Sequence, residues 1–389
     1  MDNQGTDHYA DLMNFGFTEE QEILRSEVRK FIDEHAPLEE VRRITDAPEG
    51  FSRELWSRMG GLGWLGLTIP EAHGGSGTGL VTLVVLLEEM GRTLFPSPLV
   101  SQVLAARAIE RRGSEDQKQR LLPALADGSC VATVALLEEV DRYDPAGMAL
   151  VAAPEGGSER LRGRKTFVAD GAAADLFVVA YRSSAGAGEE GVSLAVVEKG
   201  AAGVSVEDLP PVDPSKRLAH LILDGVEVDD GARLGARGAA WGTVADLVDV
   251  GATLVTAEAV GSAEGGLALT TSYARERLQF GSPIGRFQGV KHPLAEMFVD
   301  VESFKSLVYY AAWALDQGAA DASLAASRAK AYASEVMPNY GLQGVELHGG
   351  IGYTWEYDIQ LFLKRARWMR PMFGDADHHY ERVAALGGL

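Results

Sequence analysis

The chain has 389 residues, a hydrophobic fraction of 46% and a formal net charge of −20. This length predicts two or three domains, and the negative charge disfavours binding to nucleic acid or to an anionic membrane surface. No apolar run reaches the roughly 18 residues of a membrane span. Cys130 is the single cysteine, and the polar stretch Met1 to Asp11 does not resemble a signal peptide, so we expect a cytoplasmic protein.

Helical periodicity fills the first third of the chain. Thr18, followed by two acids, predicts a helix N-terminus, and Pro37 predicts the end of that helix. Residues 80–91 are apolar almost all round, which predicts a buried helix. Gly61, Gly63 and Gly66 match a dinucleotide-binding pattern, but they follow a helix and not a strand, so we interpret them as turn residues. Further helices are predicted over 51–59, 101–112 and 115–127.

Short β-rich runs follow at intervals of roughly ten residues, which is typical of a small antiparallel barrel or sandwich. From Gly235 the helical period returns, with long helices predicted over 241–277, 288–318, 323–347 and 357–367. The sequence therefore predicts a mainly α fold with a β-domain (α+β). We expect an N-terminal helical domain over 1–127, a β-domain over 128–234 and a C-terminal four-helix-bundle domain over 235–389.

Two segments stand out as candidate ligand sites. Residues 275–292 join two helices and carry four Lys or Arg side chains against one acid, and guanidinium groups match phosphate oxygens well. Residues 346–357 hold three glycines in four positions between helices, so backbone N–H groups can approach a ligand. Taken singly, each segment is equally typical of a solvated helix end or a tight turn.

Taken together, these segments carry a resemblance to a known family. The run from Arg277 to Gln288 (Arg-x-Gln-Phe-Gly-x-Pro-Ile-Gly-x-Phe-Gln) and the loop His348 to Thr354 resemble the two C-terminal signatures of acyl-CoA dehydrogenases. Residues 70–77 resemble an N-terminal loop of that family, and 17–21 resemble its first helix. The resemblance covers almost the whole chain.

The resemblance implies that FAD is the cofactor and lies across a dimer interface. The β-domain of one subunit would hold the isoalloxazine ring, and the C-terminal motifs of its neighbour would hold the ADP half. Glu346 stands where the family motif has glutamine. Phe167 stands where a family aromatic stacks on the flavin, and Ala169 replaces a family threonine. The implied cofactor contacts are Arg277, Phe280, Gln288, Glu346, Gly349, Gly350 and Phe167.

The expected catalytic base is missing from its usual positions. The family glutamate aligns with Phe373 in most members and with Gly251 in others. Asp375, two residues beyond Phe373, is the best displaced candidate, followed by Asp249 and Glu258. A helix-terminal or solvated acid is the plain alternative for both aspartates. We expect His378 and His379 to lie on the surface, and no spacing supports a metal site.

The resemblance therefore implies α,β-dehydrogenation of an acyl-CoA or steroid-CoA thioester, and leaves three hypotheses for this chain. The first is a half-site, non-catalytic partner subunit of a heteromer, as in actinobacterial α2β2 members of the family. The second is a self-sufficient homotetramer with Asp375 as base. The third is a CoA-thioester-binding relative without dehydrogenase activity. Each predicts an oligomer, and the first two predict a dimer of dimers.

Overall fold

The computed structural model describes residues 16–155 and 157–389. It confirms the predicted order of helices, β-domain and helices. The interpretation of residues 1–11 lies outside the described residues. In the sections below, helices and strands are numbered in chain order.

Six helices form the N-terminal part of the described chain. Thr18 caps the first as predicted: its side chain accepts from the backbone of Gln21, whose own side chain accepts from the N–H of Thr18. The second helix was not predicted; it begins directly after Pro37, where a missing N–H costs nothing. The helices are α1 (Glu19–His35), α2 (Leu38–Thr45), α3 (Arg53–Gly61), α4 (Gly79–Arg92), α5 (Leu99–Arg112) and α6 (Glu115–Ala126).

Two small sheets form the β-domain, with a buried apolar cluster between them that includes Leu161, Val179 and Leu221. One sheet has the order β1-β4-β5 and the other β2-β3-β7-β6. Most pairs are antiparallel as predicted, but β1 runs parallel to β4. The strands are β1 (Ala132–Ala135), β2 (Ala153–Glu155), β3 (Ser158–Ala169), β4 (Leu176–Arg182), β5 (Val192–Glu198), β6 (Val204–Leu209) and β7 (Leu218–Val228).

The C-terminal part is a helical bundle with a short hairpin between its first two helices. No helix in the described part of the chain is long and apolar enough to span a bilayer. The last helix was not predicted from the sequence. The helices are α7 (Trp241–Glu276), α8 (Gln288–Gln317), α9 (Ala322–His348), α10 (Ile359–Met369) and α11 (Ala376–Gly387), and the hairpin strands are β8 (Leu278–Gln279) and β9 (Ser282–Pro283).

Close backbone contact joins the N-terminal helices to the bundle. A Cβ atom at Gly91 of α4 would lie 2.1 Å from the carbonyl oxygen of Glu258, and one at Gly261 of α7 would lie 1.8 Å from that of Glu88. Neither position can hold a side chain without separating the two helices. The first and last thirds of the chain therefore share one core.

A buried charge network joins the β-domain to the C-terminal bundle, and its central residue Arg365 also donates to the carbonyl oxygen of Leu94, after α4, at 3.4 Å. The guanidinium of Arg365 on α10 donates to Asp213 Oδ2 at 2.6 Å, Glu258 Oε1 at 2.9 Å and Ser215 Oγ at 2.7 Å. Lys216 Nζ lies 2.7 Å from the same oxygen of Glu258. The four charged side chains are almost completely buried. Glu258, a minor candidate for the base, is therefore paired with two cations and joins α7 to the loop before β7.

The unpredicted helix α11 packs on the bundle through polar contacts. Arg382 reaches Asp249 of α7 at 2.6 Å, and Ser323 donates to the other carboxylate oxygen at 2.6 Å. Asp249 is buried in this contact, so it joins three helices. The expectation that His379 lies on the surface is wrong: its side chain is fully buried, because it faces the bundle from α11. His378 is partly buried.

Replacing Arg365 by Met tests the buried network. We expect the free energy of unfolding to fall by about 3 kcal/mol, since removing Arg365 leaves the buried carboxylate of Asp213 without its cation and Glu258 with Lys216 alone. The measurement is chemical denaturation followed by circular dichroism. Arg53→Met, which removes an exposed pair with Glu49, is the matched control and should change stability by less than about 0.5 kcal/mol. Equal effects of the two changes would contradict a structural role for Arg365.

His379 should make the protein sensitive to acid. Burial, reinforced by the nearby Lys330 cation, lowers the pKa of His379 to about 2. Because this value lies below the unfolded-state pKa, the stabilisation is complete above about pH 6.5 and is lost as the pH falls, by about 1.4 kcal/mol per pH unit. In His379→Gln the unfolding free energy should therefore fall less steeply between pH 6.5 and 4. The measurement is urea denaturation at a series of pH values. If the unfolding free energies of the two proteins fall in parallel with pH, His379 does not cause the acid sensitivity.

Candidate functional site

Phe373 occupies the place where the family resemblance expects a base. It lies in the turn between α10 and α11, with a left-handed backbone (φ 56°). A Cβ atom built at Gly251 would lie 2.6 to 2.7 Å from its ring carbons. The two alternative base positions therefore face one another, and the phenyl ring fills the space between them. We call this contact the Phe373 plug.

Hydrogen bonds hold the backbone of the plug on both sides. The N–H of Phe373 donates to Tyr143 Oη at 3.1 Å, and its carbonyl accepts from His379 Nε2 at 2.9 Å. Lys330 on α9 donates to the carbonyl oxygens of Arg370 and Gly374, at 2.8 and 2.7 Å. Burial lowers the pKa of Lys330 to about 7. A strained φ persists only where surrounding contacts impose it, and these four contacts do so.

The loop after β1 brings Tyr143 to the plug. In this loop, the buried carboxylate of Glu138 accepts from Lys165 Nζ at 2.6 Å and from the backbone N–H groups of Ala149 and Leu150. The loop therefore closes on itself, and its carboxylate is fully used internally. The ring of Tyr143 lies 6.0 Å from that of Phe373. Nothing in the sequence singled out Tyr143 beforehand.

The cavity beside the plug is small. Its volume is about 20 Å³, and its lining includes Tyr143, Phe167, Ala169 and Phe373; none of the lining residues carries a carboxylate. That volume accommodates about one water molecule. Phe167 is 44% exposed and left-handed (φ 50°), at a register shift between β3 and β7. A three-ring flavin does not fit here while Tyr143 and Phe373 keep these positions.

Asp375 lies outside this cavity. Its carboxylate caps α11, accepting from the N–H of His378 at 3.0 Å. It lines a separate pocket of about 260 Å³ together with Asp141, Asp144 and His378. Within the described chain, no group of His, Cys, Asp or Glu is arranged to hold a metal ion. The structure thus places Asp375 as a helix cap in an acidic pocket.

The two C-terminal motifs lie at adjoining helix ends and are open to solvent. Phe280, 92% exposed, sits with Gly281 at the tip of the β8–β9 hairpin. The side chains of Arg277 and Glu346 are exposed, and neither makes a hydrogen bond or ion pair with another described residue. A Cβ atom at Gly349 or Gly350 would meet nothing within 4 Å. Gln288 begins α8 beside the hairpin.

This open surface fits the ADP half of a flavin nucleotide. Unpaired guanidinium groups and uncovered glycine N–H groups are the donors that a pyrophosphate requires, and Arg275 and Lys291 add two more exposed cations. The exposed ring of Phe280 can stack on a base. The predicted ADP contacts therefore come together, whereas the predicted flavin contact Phe167 borders the closed cavity.

Sequence reasoning missed the residues that hold these features in place. The burial of Lys330 could have been predicted from the sequence, because helical spacing places it on the same face as the apolar residues Ala326 and Ala333, which are buried. The burial of His379 could not have been predicted, because the helix α11 that carries it was not predicted. The base candidates Asp249 and Asp375 are both engaged in structural hydrogen bonds.

Three domain models of acyl-CoA dehydrogenases match the chain: the N-terminal domain over residues 18–129, the middle domain over 133–244 and the C-terminal domain over 238–386. Acyl-CoA dehydrogenase IpdE2 of Mycolicibacterium smegmatis is 32% identical, with 95% of this chain and 99% of that protein covered. An acyl-CoA dehydrogenase of Bacillus subtilis is 31% identical, covering 90% and 93%.

Solved structures agree with these matches. A variant of the steroid ACAD Tcur3481-Tcur3483 has a TM-score of 0.85 and 33% identity, covering 95% of this chain and 98% of its own. The ChsE4-ChsE5 complex from Mycobacterium tuberculosis has a TM-score of 0.88 and 29% identity, covering 97% and 99%. From fold, motifs and relatives together, the chain belongs to the acyl-CoA dehydrogenase family, whose cofactor is FAD.

Proposed function

We propose that this chain is the half-site partner subunit of a heteromeric acyl-CoA dehydrogenase. It completes the ADP-binding half of a flavin site whose isoalloxazine half and catalytic base belong to a neighbouring chain. The observation that carries this proposal is the Phe373 plug, which fills the place of the base and leaves no carboxylate in the cavity beside it.

The charge distribution also supports a chain that binds only the ADP half of the cofactor. Asp141, Asp144 and Asp375 surround the pocket beside the plug, with Arg142 as the single cation among its lining residues. A pyrophosphate in that pocket would face like charges at close range. The exposed cations of 275–291 give the opposite sign at the C-terminal motifs. Of these two surfaces, the one at the C-terminal motifs is therefore the one that favours the phosphates of a cofactor.

Exposed apolar side chains support an oligomer. The hairpin and the first half of α8 expose Leu278, Phe280, Phe298 and Val299, and the loop after α9 exposes Tyr353. Large exposed aromatic and aliphatic groups are typical of interfaces between subunits. We infer a dimer of dimers in which each pair contains one chain of this kind and one flavin-holding chain.

The substrate class follows from the family and its neighbours. When bound, FAD supplies the hydride acceptor for α,β-dehydrogenation of a CoA thioester. This chain would contribute Arg277, Phe280, Gln288 and the Gly349–Gly350 amides to hold the ADP half. Because one structural neighbour is named a steroid ACAD, we propose a steroid-CoA or other acyl-CoA thioester as the substrate of the assembly. The lone cysteine favours the cytoplasm.

Flavin content tests the proposal. Purified alone, the chain should show no flavin absorbance. Co-purified with a flavin-holding acyl-CoA dehydrogenase chain from the same organism, it should carry about one FAD for each pair of chains, as expected where only one of two non-identical half-sites is complete. A bound flavin in the lone chain that a CoA thioester reduces would reject the half-site role. That result would favour the self-sufficient enzyme, and the activity of Asp375→Ala would then test whether Asp375 is its base.

Arg277→Ala should weaken FAD binding by the assembly. Loss of one charge-assisted contact to a phosphate is expected to raise the FAD dissociation constant about 10- to 100-fold. Fluorescence titration of the flavin-free assembly gives the measurement. Arg328→Ala, which removes an exposed arginine of α9, is the control and should leave the affinity unchanged. If both variants bind FAD like the unmodified assembly, this chain does not contribute Arg277 to the site.

The plug itself can be tested by adding one methyl group. Gly251→Ala forces a Cβ atom into the ring of Phe373 and should lower the free energy of unfolding by about 1–3 kcal/mol. Gly242→Ala, where a Cβ atom meets nothing within 4 Å, should be neutral or slightly stabilising. Combining Gly251→Ala with Phe373→Leu should recover part of the loss. A neutral Gly251→Ala would mean that the ring does not fill this space.

A further inference from the structure

We propose that Tyr273, His348 and Tyr357 form an aromatic clasp that holds the two ADP-binding segments of this chain in the relative position that one nucleotide requires. The inference rests on the proposed function, because it names residues that position the ADP-binding surface. It adds three residues to which neither the motifs nor the relatives gave a role.

The clasp is a compact stack at the junction of α7, α9 and the start of α10. The ring of Tyr273 stacks on the imidazole of His348, with centroids 4.4 Å apart and planes inclined by 28°. Tyr273 Oη donates to the carbonyl oxygen of His348 at 3.3 Å. The ring of Tyr357 contacts both, at 6.0 and 4.9 Å.

Two members of the stack, Tyr273 and His348, are joined directly to ligand-binding groups. The carbonyl of Tyr273 accepts from the N–H of Arg277 at 2.8 Å, and the carbonyl of Arg277 accepts from Ile284 at 2.9 Å. His348 is the last residue of α9 and immediately precedes Gly349 and Gly350. A movement of the stack therefore moves the cation and the two glycine amides relative to each other.

The imidazole is fixed in one orientation. Its Nδ1 lies 2.7 Å from the carbonyl oxygen of Gly344, one helical turn earlier, so this nitrogen carries the proton. Burial lowers the pKa of His348, which keeps the ring neutral, and Nε2 has no partner among the described residues. The ring therefore stabilises the end of α9 through Nδ1, while Nε2 is shielded from solvent.

The need for a clasp follows from the surrounding chain. Between Glu276 and Gln288 the backbone forms a hairpin of two two-residue strands and one 3-10 turn (Ile284–Arg286), and most of the side chains in this segment are exposed. The glycine loop after His348 is likewise uncovered. Two such segments bind one pyrophosphate well only if their separation is set in advance, because ordering them at the moment of binding reduces affinity. Tyr273, His348 and Tyr357 are thus positioning residues.

The test compares FAD affinities of assemblies that contain variants of this chain. His348→Ala, which removes the stacked ring, should raise the FAD dissociation constant about tenfold, as is common when a group that orients a ligand-binding residue is lost. His348→Phe, which restores an aromatic ring, should recover most of the affinity. Tyr310→Ala, which removes a tyrosine stacked on Trp313 at the far end of α8, is the matched control. Subunit composition is followed by light scattering.

A double variant separates positioning from general stability. If the clasp acts through Arg277, then His348→Ala combined with Arg277→Ala should weaken FAD binding by less than the product of the two single effects. Strict multiplicativity, or no effect of His348→Ala in an intact assembly that binds FAD, would overturn the clasp and leave the half-site role untouched. If the lone chain holds its own flavin, the half-site role fails, and the same variants are then compared on that homomer.

Discussion

The buried guanidinium of Arg365 is the contact on which the arrangement of the three parts of this chain depends. From α10 it reaches a carboxylate of α7, another in the loop before β7 and the carbonyl oxygen of Leu94 in the N-terminal part. Charges at this depth are tolerated only when each is paired, because an unpaired ion in a dry interior is strongly unfavourable. The three parts must therefore adopt one mutual arrangement, and that arrangement brings Phe373, Gly251 and Tyr143 together.

Within this fixed frame, the two ends of a flavin-binding surface have opposite characters. At one end, the rings of Tyr143 and Phe373 fill the space, and the polar groups of the loop after β1 bond to one another. At the other end, cations, glycine amides and an aromatic ring remain uncovered. The same architecture can carry both characters, because a fold does not by itself determine the chemistry of its sites.

Much of the fold was predictable, because long elements leave a periodic signal. The limits of α7 and α8 were predicted to within a residue, and the candidate ADP-binding residues came from motifs with unusual spacing. The helix α11 was missed because its pattern is short and partly polar, and the burial of His379 was missed with it. The contact between Phe373 and Gly251 joins positions that are remote in sequence, and only the tertiary fold could reveal that one ring fills both places.

The hairpin at residues 278–283 has a consequence for the life of the protein in the cell. A phenylalanine in left-handed backbone, almost wholly in water, is unfavourable twice over: in conformation and in hydration. A subunit that displays such a tip before assembly is a target for chaperones and proteases and a seed for aggregation. In the proposed assembly a neighbouring chain would cover this tip, so the amount and timing of synthesis of the two chains would have to match.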